Sequence, residues 1–160
     1  RQRQMCIRDS AQIHHYFGGK KGLLIATYKQ LAFEHVQQLE RRNVSPNNLG
    51  DEPLSTITDD YFKAIIRAVL DDQMDLVRVQ IDSNLSVSRQ TLEQLTKLKK
   101  LKKPNAEIKS AVAIAMVVEF GLASMEKYID EVLEMSTNDK KVFMKYFFEA
   151  RELGILKVLK

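Results

Sequence analysis

From Lys20 onward the apolar residues of this chain return every third or fourth position, and nowhere do they alternate over a useful length. Positions three and four apart share one face of a helix, whereas a strand needs a period of two, so the pattern admits helices and excludes a sheet. Leu24, Tyr28, Leu31, His35 and Leu39 trace one face of a long helix over about 20–42. Ile57, Tyr61, Ile65 and Ala68, widened by Phe62, Ile66 and Val69, predict a second helix over about 54–70 that is buried against more than one neighbour. Asp71 or Asp72 can cap a third over 73–86, and Leu92, Leu95, Leu98 and Leu101 mark a fourth over 88–102 that Pro104 stops. The fifth, over 106–135, and the sixth are the most apolar. The sixth, over 139–153, has Asn138 as its N-cap and Gly154 as its C-terminal cap. Residues 43–53 are a loop by composition, and residues 11–17 read as a short helix broken by Gly18 and Gly19. The expectation is an all-α fold of six or seven helices.

With 160 residues the chain is long enough to bury a core without staples. Its one cysteine, Cys6, permits no internal disulfide and fits a reducing compartment. No apolar run approaches the ~18 residues of a membrane span. The longest, 111–118, stops at Glu119, and no secretory signal is visible, so the cytoplasm is the expected location. The formal charge of +4 is unevenly placed. Residues 1–42 hold eight Lys and Arg against three Asp and Glu, and all three histidines lie in the same stretch. A basic end suggests an anionic partner, nucleic acid first, although an imbalance this small also arises by chance.

The most informative segment is 11–26, AQIHHYFGGKKGLLIA. It resembles the end of the DNA-binding segment of the TetR family of transcriptional regulators. There a recognition helix ends in a motif like "lYhYF", followed by a small-residue turn, a lysine and a Leu-rich helix. Ile13, His14, His15, Tyr16 and Phe17, then Gly18 and Gly19, Lys20, and Leu23 and Leu24 fill those places without a gap. The resemblance implies that His14, Tyr16 and Lys20 meet phosphates or sugars, where a helix N-terminus and a lysine both attract anions. It puts Gln12 and His15 nearer base edges, where Gln can pair with adenine, and has Phe17 pack inward. The plain alternative is an amphipathic helix and a glycine turn of no special purpose. The helices that precede this segment in the family are missing. Residues 1–10 show no periodicity, MCIRDS resembles translated adapter sequence, and no Met stands at position 1, so these ten residues are expected to be non-native or disordered.

Other chemistry finds little support. His14 and His15 point about 100° apart on a helix and cannot chelate together, and Cys6 has no partner at zinc spacing, so no metal or other cofactor is expected. The glycines of 17–22 miss the phosphate-loop pattern, and no nucleophile constellation is present, so no catalytic residues are assigned. Lys97, Lys99, Lys100, Lys102 and Lys103 read as a solvated face and loop rather than a membrane or nucleic-acid patch.

The resemblance therefore implies two parts: a remnant of a helix-turn-helix DNA-binding end over 11–42, and a helical-bundle domain over 43–160 that binds a small effector and dimerises. The expected effector cavity draws on Phe62, Ile66, Met74, Met116 and Phe120, and the expected homodimer face on Val118, Leu122, Tyr146 and Phe147. Among relatives, His-Tyr-Phe followed by Gly-Lys-x-Gly-Leu looks most like the choline- and pyrimidine-responsive repressors. The implied function is a repressor released from operator DNA when effector binding shifts the helix after Lys20. Two other classes stay open: a helical ligand-binding or interaction module that never meets DNA, and a small helical enzyme with His14 or His15 as base.

Overall fold

The computed structural model describes residues 11–45, 48 and 52–159. Residues 1–10, and with them the expectation that they are foreign, lie outside the described residues. The described chain is helical throughout: α1 (11–17), α2 (Lys20–Arg41), α3 (Leu54–Ile57), α4 (Asp59–Leu70), α5 (Met74–Asp82), α6 (Val87–Leu98), α7 (Ala106–Val132) and α8 (Thr137–Leu159). No strand occurs among the described residues; Ser45 and Asn48 form an isolated bridge within the loop after α2.

The segments follow the apolar period, and their ends follow local chemistry. Gly18 and Gly19 both have positive φ, 69° and 105°, which is why this turn carries two glycines. Gly22 answers a different need. The Phe17 carbonyl oxygen stands 1.6 Å from where its Cβ would be, so only a glycine lets the end of α1 rest on the first turn of α2.

Several ends differ from expectation. The second predicted helix breaks at Thr58 into α3 and α4, because Thr58 leaves helical geometry (φ −147°). Asp71 and Asp72 do not cap α5; they close α4, with Asp72 left-handed, and Gln73 stands at the N-cap of α5. α6 ends at Leu98, before Pro104 can act, because Lys100 turns left-handed. Ser136, not Asn138, starts α8: Asp139 N–H donates to Ser136 Oγ, and Ser136 N–H donates back to the Asp139 carboxylate at 2.9 Å, a reciprocal capping box. Gly154 does not end α8, which runs on to Leu159.

Two apolar clusters form the interior. Ala32, Tyr61, Phe62 and Ile65 join α2 to α4, with Phe120 of α7 packed against them. Leu95, Ile108, Ala111, Val112, Ile155 and Val158 join α6, α7 and α8. α7 belongs to both clusters, and its most extensive packing is against α8. It also departs from the expectation about membranes. At 27 residues, with a mean hydropathy of 1.7 over its most apolar window, it is long and apolar enough to cross one. Much of that apolar surface faces outward. Ile114, Val117, Met125, Tyr128 and Val132 lie at intervals of three, eight, three and four, a single exposed stripe. Val142, Tyr146 and Leu153 repeat the pattern on α8.

Candidate functional site

Where the two clusters meet, a cavity of about 220 Å³ opens. α2 supplies His35, Val36 and Leu39; α4 supplies Tyr61 and Phe62; α7 supplies Val112, Ala115, Met116, Glu119 and Phe120; α8 supplies Arg151 and Ile155; α6 adds Ser88, Thr91 and Gln94. The helical period shapes this lining, most plainly on α7, where Val112, Ala115, Met116, Glu119 and Phe120 recur at three and four residues, and on α8, where Arg151 and Ile155 are four apart. Of the residues expected around an effector, Phe62, Met116 and Phe120 line the cavity, whereas Ile66 and Met74 lie outside it. Ile66 is half-buried elsewhere on α4, and Met74 is exposed at the start of α5, beyond the reach of the α4 stripe.

The cavity also has a buried polar wall that the apolar period does not predict. His35 is 2% exposed, its ring stacked on Tyr61 with centroids 4.1 Å apart and set edge-on to Phe62. Its Nδ1 lies 2.5 Å from Thr58 Oγ1, and burial pushes the imidazole down to about 4, so it is neutral at physiological pH. Tyr61 donates its hydroxyl to Gln80 Oε1 at 2.5 Å, and burial pushes the phenol up. Glu119 and Arg151, both buried, form an ion pair with Arg151 Nη1 donating to Glu119 Oε1 at 3.1 Å. The same guanidinium donates to the Glu52 carbonyl at 2.9 Å and stands over the Phe148 ring at 4.9 Å. Glu119 Oε2 accepts from the Leu54 backbone N–H at 2.8 Å. Burial raises the Glu119 carboxyl, and Arg151 opposes that shift. The pair ties α7, α8 and the start of α3 together behind the cavity. A signal for it exists in the sequence. Arg151 sits four residues from both Phe147 and Ile155 on one helical face, and Glu119 interrupts the most apolar helix, so each helix buries one charge of opposite sign.

At the other end of α2, Gln12, His14, His15, Tyr16 and Lys20 are all exposed. Tyr16 is 74% exposed and meets His15 edge-on, with centroids 5.0 Å apart. The His14 ring lies 3.6 Å from where a Cβ at Gly19 would stand. Phe17 does not pack inward as expected: it is 41% exposed, and Ile13 is the half-buried residue of α1. The first turn of α2 carries no acidic residue and no side-chain cap, and Lys20 and Lys21 are both exposed on it. Lys21 reaches Asp75 Oδ2 at 2.6 Å on the surface of α5.

The residues expected at a dimer face divide. Leu122 and Phe147 are each 5% exposed within one chain and pack internally, Val118 is half-buried, and Tyr146 is exposed on the outer stripe of α8. The outward apolar surface is the neighbouring set on α7 and α8 described above, one helical step round from Leu122 and Phe147. Among the described residues, no three His, Cys, Asp or Glu side chains converge as a metal site. Comparison with known proteins gives no match: no family model fits the chain, and neither a curated protein nor a solved structure is similar to it.

Proposed function

We propose that the chain is a ligand-responsive DNA-binding regulator of TetR type, acting in the cytoplasm as a homodimer and carrying out no catalysis. One observation carries the reading. α2 begins at the exposed, lysine-bearing turn that follows α1, and the same helix lines the cavity at His35, Val36 and Leu39. Fifteen residues of helix separate Lys20 from His35, a lever of about 22 Å. A molecule that alters the cavity wall therefore acts on the helix that holds α1, and no second connecting element is needed. The coupling is a difference in ligand affinity between two positions of α2, which is all that release from DNA requires.

The homodimer rests on the exposed stripes of α7 and α8. Exposed apolar stripes on two helices that pack together suit an interface, and two such helices from each of two copies close as a four-helix bundle. Two chains would then present two α1 segments to successive major grooves. The cavity by itself also supports a ligand-binding module that does not meet DNA, and α1 decides between the two.

The test uses the protein expressed from its complete gene and DNA from upstream of that gene. Lys20→Ala is expected to weaken binding to all sequences alike and to flatten the salt slope by about one unit. Gln12→Ala is expected to relax preference at one base pair, by about 1–3 kcal/mol. Indistinguishable, salt-independent mutants would remove the assigned roles. Absence of DNA binding alongside ligand binding would establish the module instead.

A further inference from the structure

The buried polar groups around the cavity are unequally committed. Glu119 has one carboxylate oxygen on Arg151 and the other on the Leu54 N–H, Arg151 is held by Glu119 and the Glu52 carbonyl, and the Tyr61 hydroxyl is given to Gln80. His35 differs. Its Nδ1 meets Thr58 Oγ1, and its Nε2 has no hydrogen-bond partner among the described residues, although the ring is 2% exposed and lines the cavity. That nitrogen is not one of the fully buried atoms left without a partner, so a ligand group in the cavity would take the place of water on it.

Charge narrows the ligand. Within the buried wall Glu119 and Arg151 compensate each other, and Glu40, the other charged lining residue, is exposed and screened by solvent, so an ionised ligand would leave water without gaining a buried, uncommitted opposite charge. Size narrows it again. An apolar cavity of about 150 Å³ holds benzene, and about 220 Å³ leaves room for one ring with a small substituent. Phe62 and Phe120, with ring centroids 4.9 Å apart and tilted by 52°, form an aromatic corner against which a further ring packs. The polar group follows from the imidazole. If Thr58 donates to Nδ1, then Nε2 carries the proton; if Nδ1 donates to Thr58, then Nε2 accepts. A hydroxyl satisfies either tautomer, whereas a carbonyl satisfies only the first.

We propose that the cavity takes a neutral, singly hydroxylated aromatic ring of phenol size, its hydroxyl bonded to His35 Nε2 and its ring against Phe62 and Phe120. The proposal deepens the effector reading above and rests on it only for the cavity, not for DNA.

Calorimetry and thermal shift on this chain at pH 7, with phenol, toluene, benzoate, benzyltrimethylammonium and uracil as probes, test it. Phenol is expected to bind saturably one to one, toluene about fivefold more weakly for want of one hydrogen bond, and the ionic probes and the more polar uracil not at all. Toluene equal to phenol, or any ionic probe or uracil tighter than phenol, overturns the proposal. His35→Phe is expected to equalise phenol and toluene, and Ala115→Phe, which fills the cavity, to abolish both; a retained phenol preference in His35→Phe overturns it. Should His35→Phe not fold, the imidazole resonances of His35 in the unaltered chain are expected to move with phenol and not with toluene, and their indifference to phenol overturns the proposal equally. The regulator reading fails separately. Phenol binding without any change in DNA affinity would contradict effector control and leave the ligand class standing, whereas DNA binding released by some other molecule would do the reverse.

Discussion

At the residue scale the interior is governed by what each buried polar group has received in exchange for water. The His35 imidazole has a ring stack and Thr58, and no carboxylate, so burial favours its neutral form. In the unfolded chain it binds a proton near 6.5, and in the folded chain only near 4. Between those values the unfolded state holds more protons, so stability rises with pH. The His35 contribution is complete above about pH 6.5 and is lost as pH falls to about 4, a decrease of about 3 kcal/mol. Chemical denaturation from pH 7 to pH 4 checks this, with an NMR titration of His35 placing the midpoint near 4; a midpoint near 6.5 would contradict it. The Glu119–Arg151 pair obeys a different rule. Removing one partner strands a buried charge, so Arg151→Met alone is expected to cost about 3–5 kcal/mol. Glu119→Leu with Arg151→Met together is expected to cost less than Arg151→Met alone, because no charge is left behind. Urea melts of the single and double variants measure the difference, and a double variant worse than the single one would show that the pair stabilises beyond mutual neutralisation.

At the element scale five helices end in one way. α2, α4, α5, α6 and α7 close with Asn43, Asp72, Asn84, Lys100 and Glu134 in the left-handed region, each followed by an N–H that reaches back five residues: Val44 to Leu39, Gln73 to Ala68, Leu85 to Gln80, Leu101 to Thr96 and Met135 to Asp130. Asn and Asp tolerate this conformation, whereas Lys and Glu enter it at a cost. Lys100→Gly and Glu134→Gly are therefore expected to stabilise the fold by about 0.5–1 kcal/mol each, raising Tm by about 1–4 °C. Gly22 makes the opposite case, since a methyl group there meets the Phe17 carbonyl. Gly22→Ala is expected to leave global stability nearly unchanged and to increase amide exchange in α1; unchanged exchange would contradict the close packing of α1 on α2. These ends explain what the sequence could and could not disclose. The apolar period locates α2 and α4 to α8, because burial of one stripe forms them. It does not locate their ends, because α4 and α6 close on left-handed Asp72 and Lys100 and α8 runs through Gly154, whereas acidic caps, proline and glycine are the stops a sequence displays. The site was half legible for the same reason. Phe62, Met116 and Phe120 share the apolar stripes, whereas His35 pairs with Thr58 across 23 positions and Glu119 with Arg151 across 32. Such partners are chosen by tertiary packing, which a period of three or four does not encode.

At the scale of the whole molecule, an apolar stripe on α7 and another on α8 lie open while the Glu119–Arg151 pair binds those helices to each other within one chain. The homodimer is proposed to cover both stripes. Val117 is 72% exposed and Tyr128 62%, so Val117→Glu with Tyr128→Glu is expected to give a stable monomer by sedimentation and to leave the cavity intact. A monomer in the unaltered chain at micromolar concentration, with partition into lipid vesicles, would assign the face to a membrane surface instead.

The central claim is that one helix joins a ligand cavity to a DNA-contacting end, and equilibrium binding to DNA tests it most directly. With the protein expressed from its complete gene and labelled DNA from upstream of that gene, affinity is to be measured across a range of salt concentrations. Two chains are expected per site, with preference over random DNA, and log K is expected to fall linearly and steeply with log salt as phosphates exchange counterions for lysines and a helix terminus. No preference over random DNA, at any salt concentration, would contradict the account.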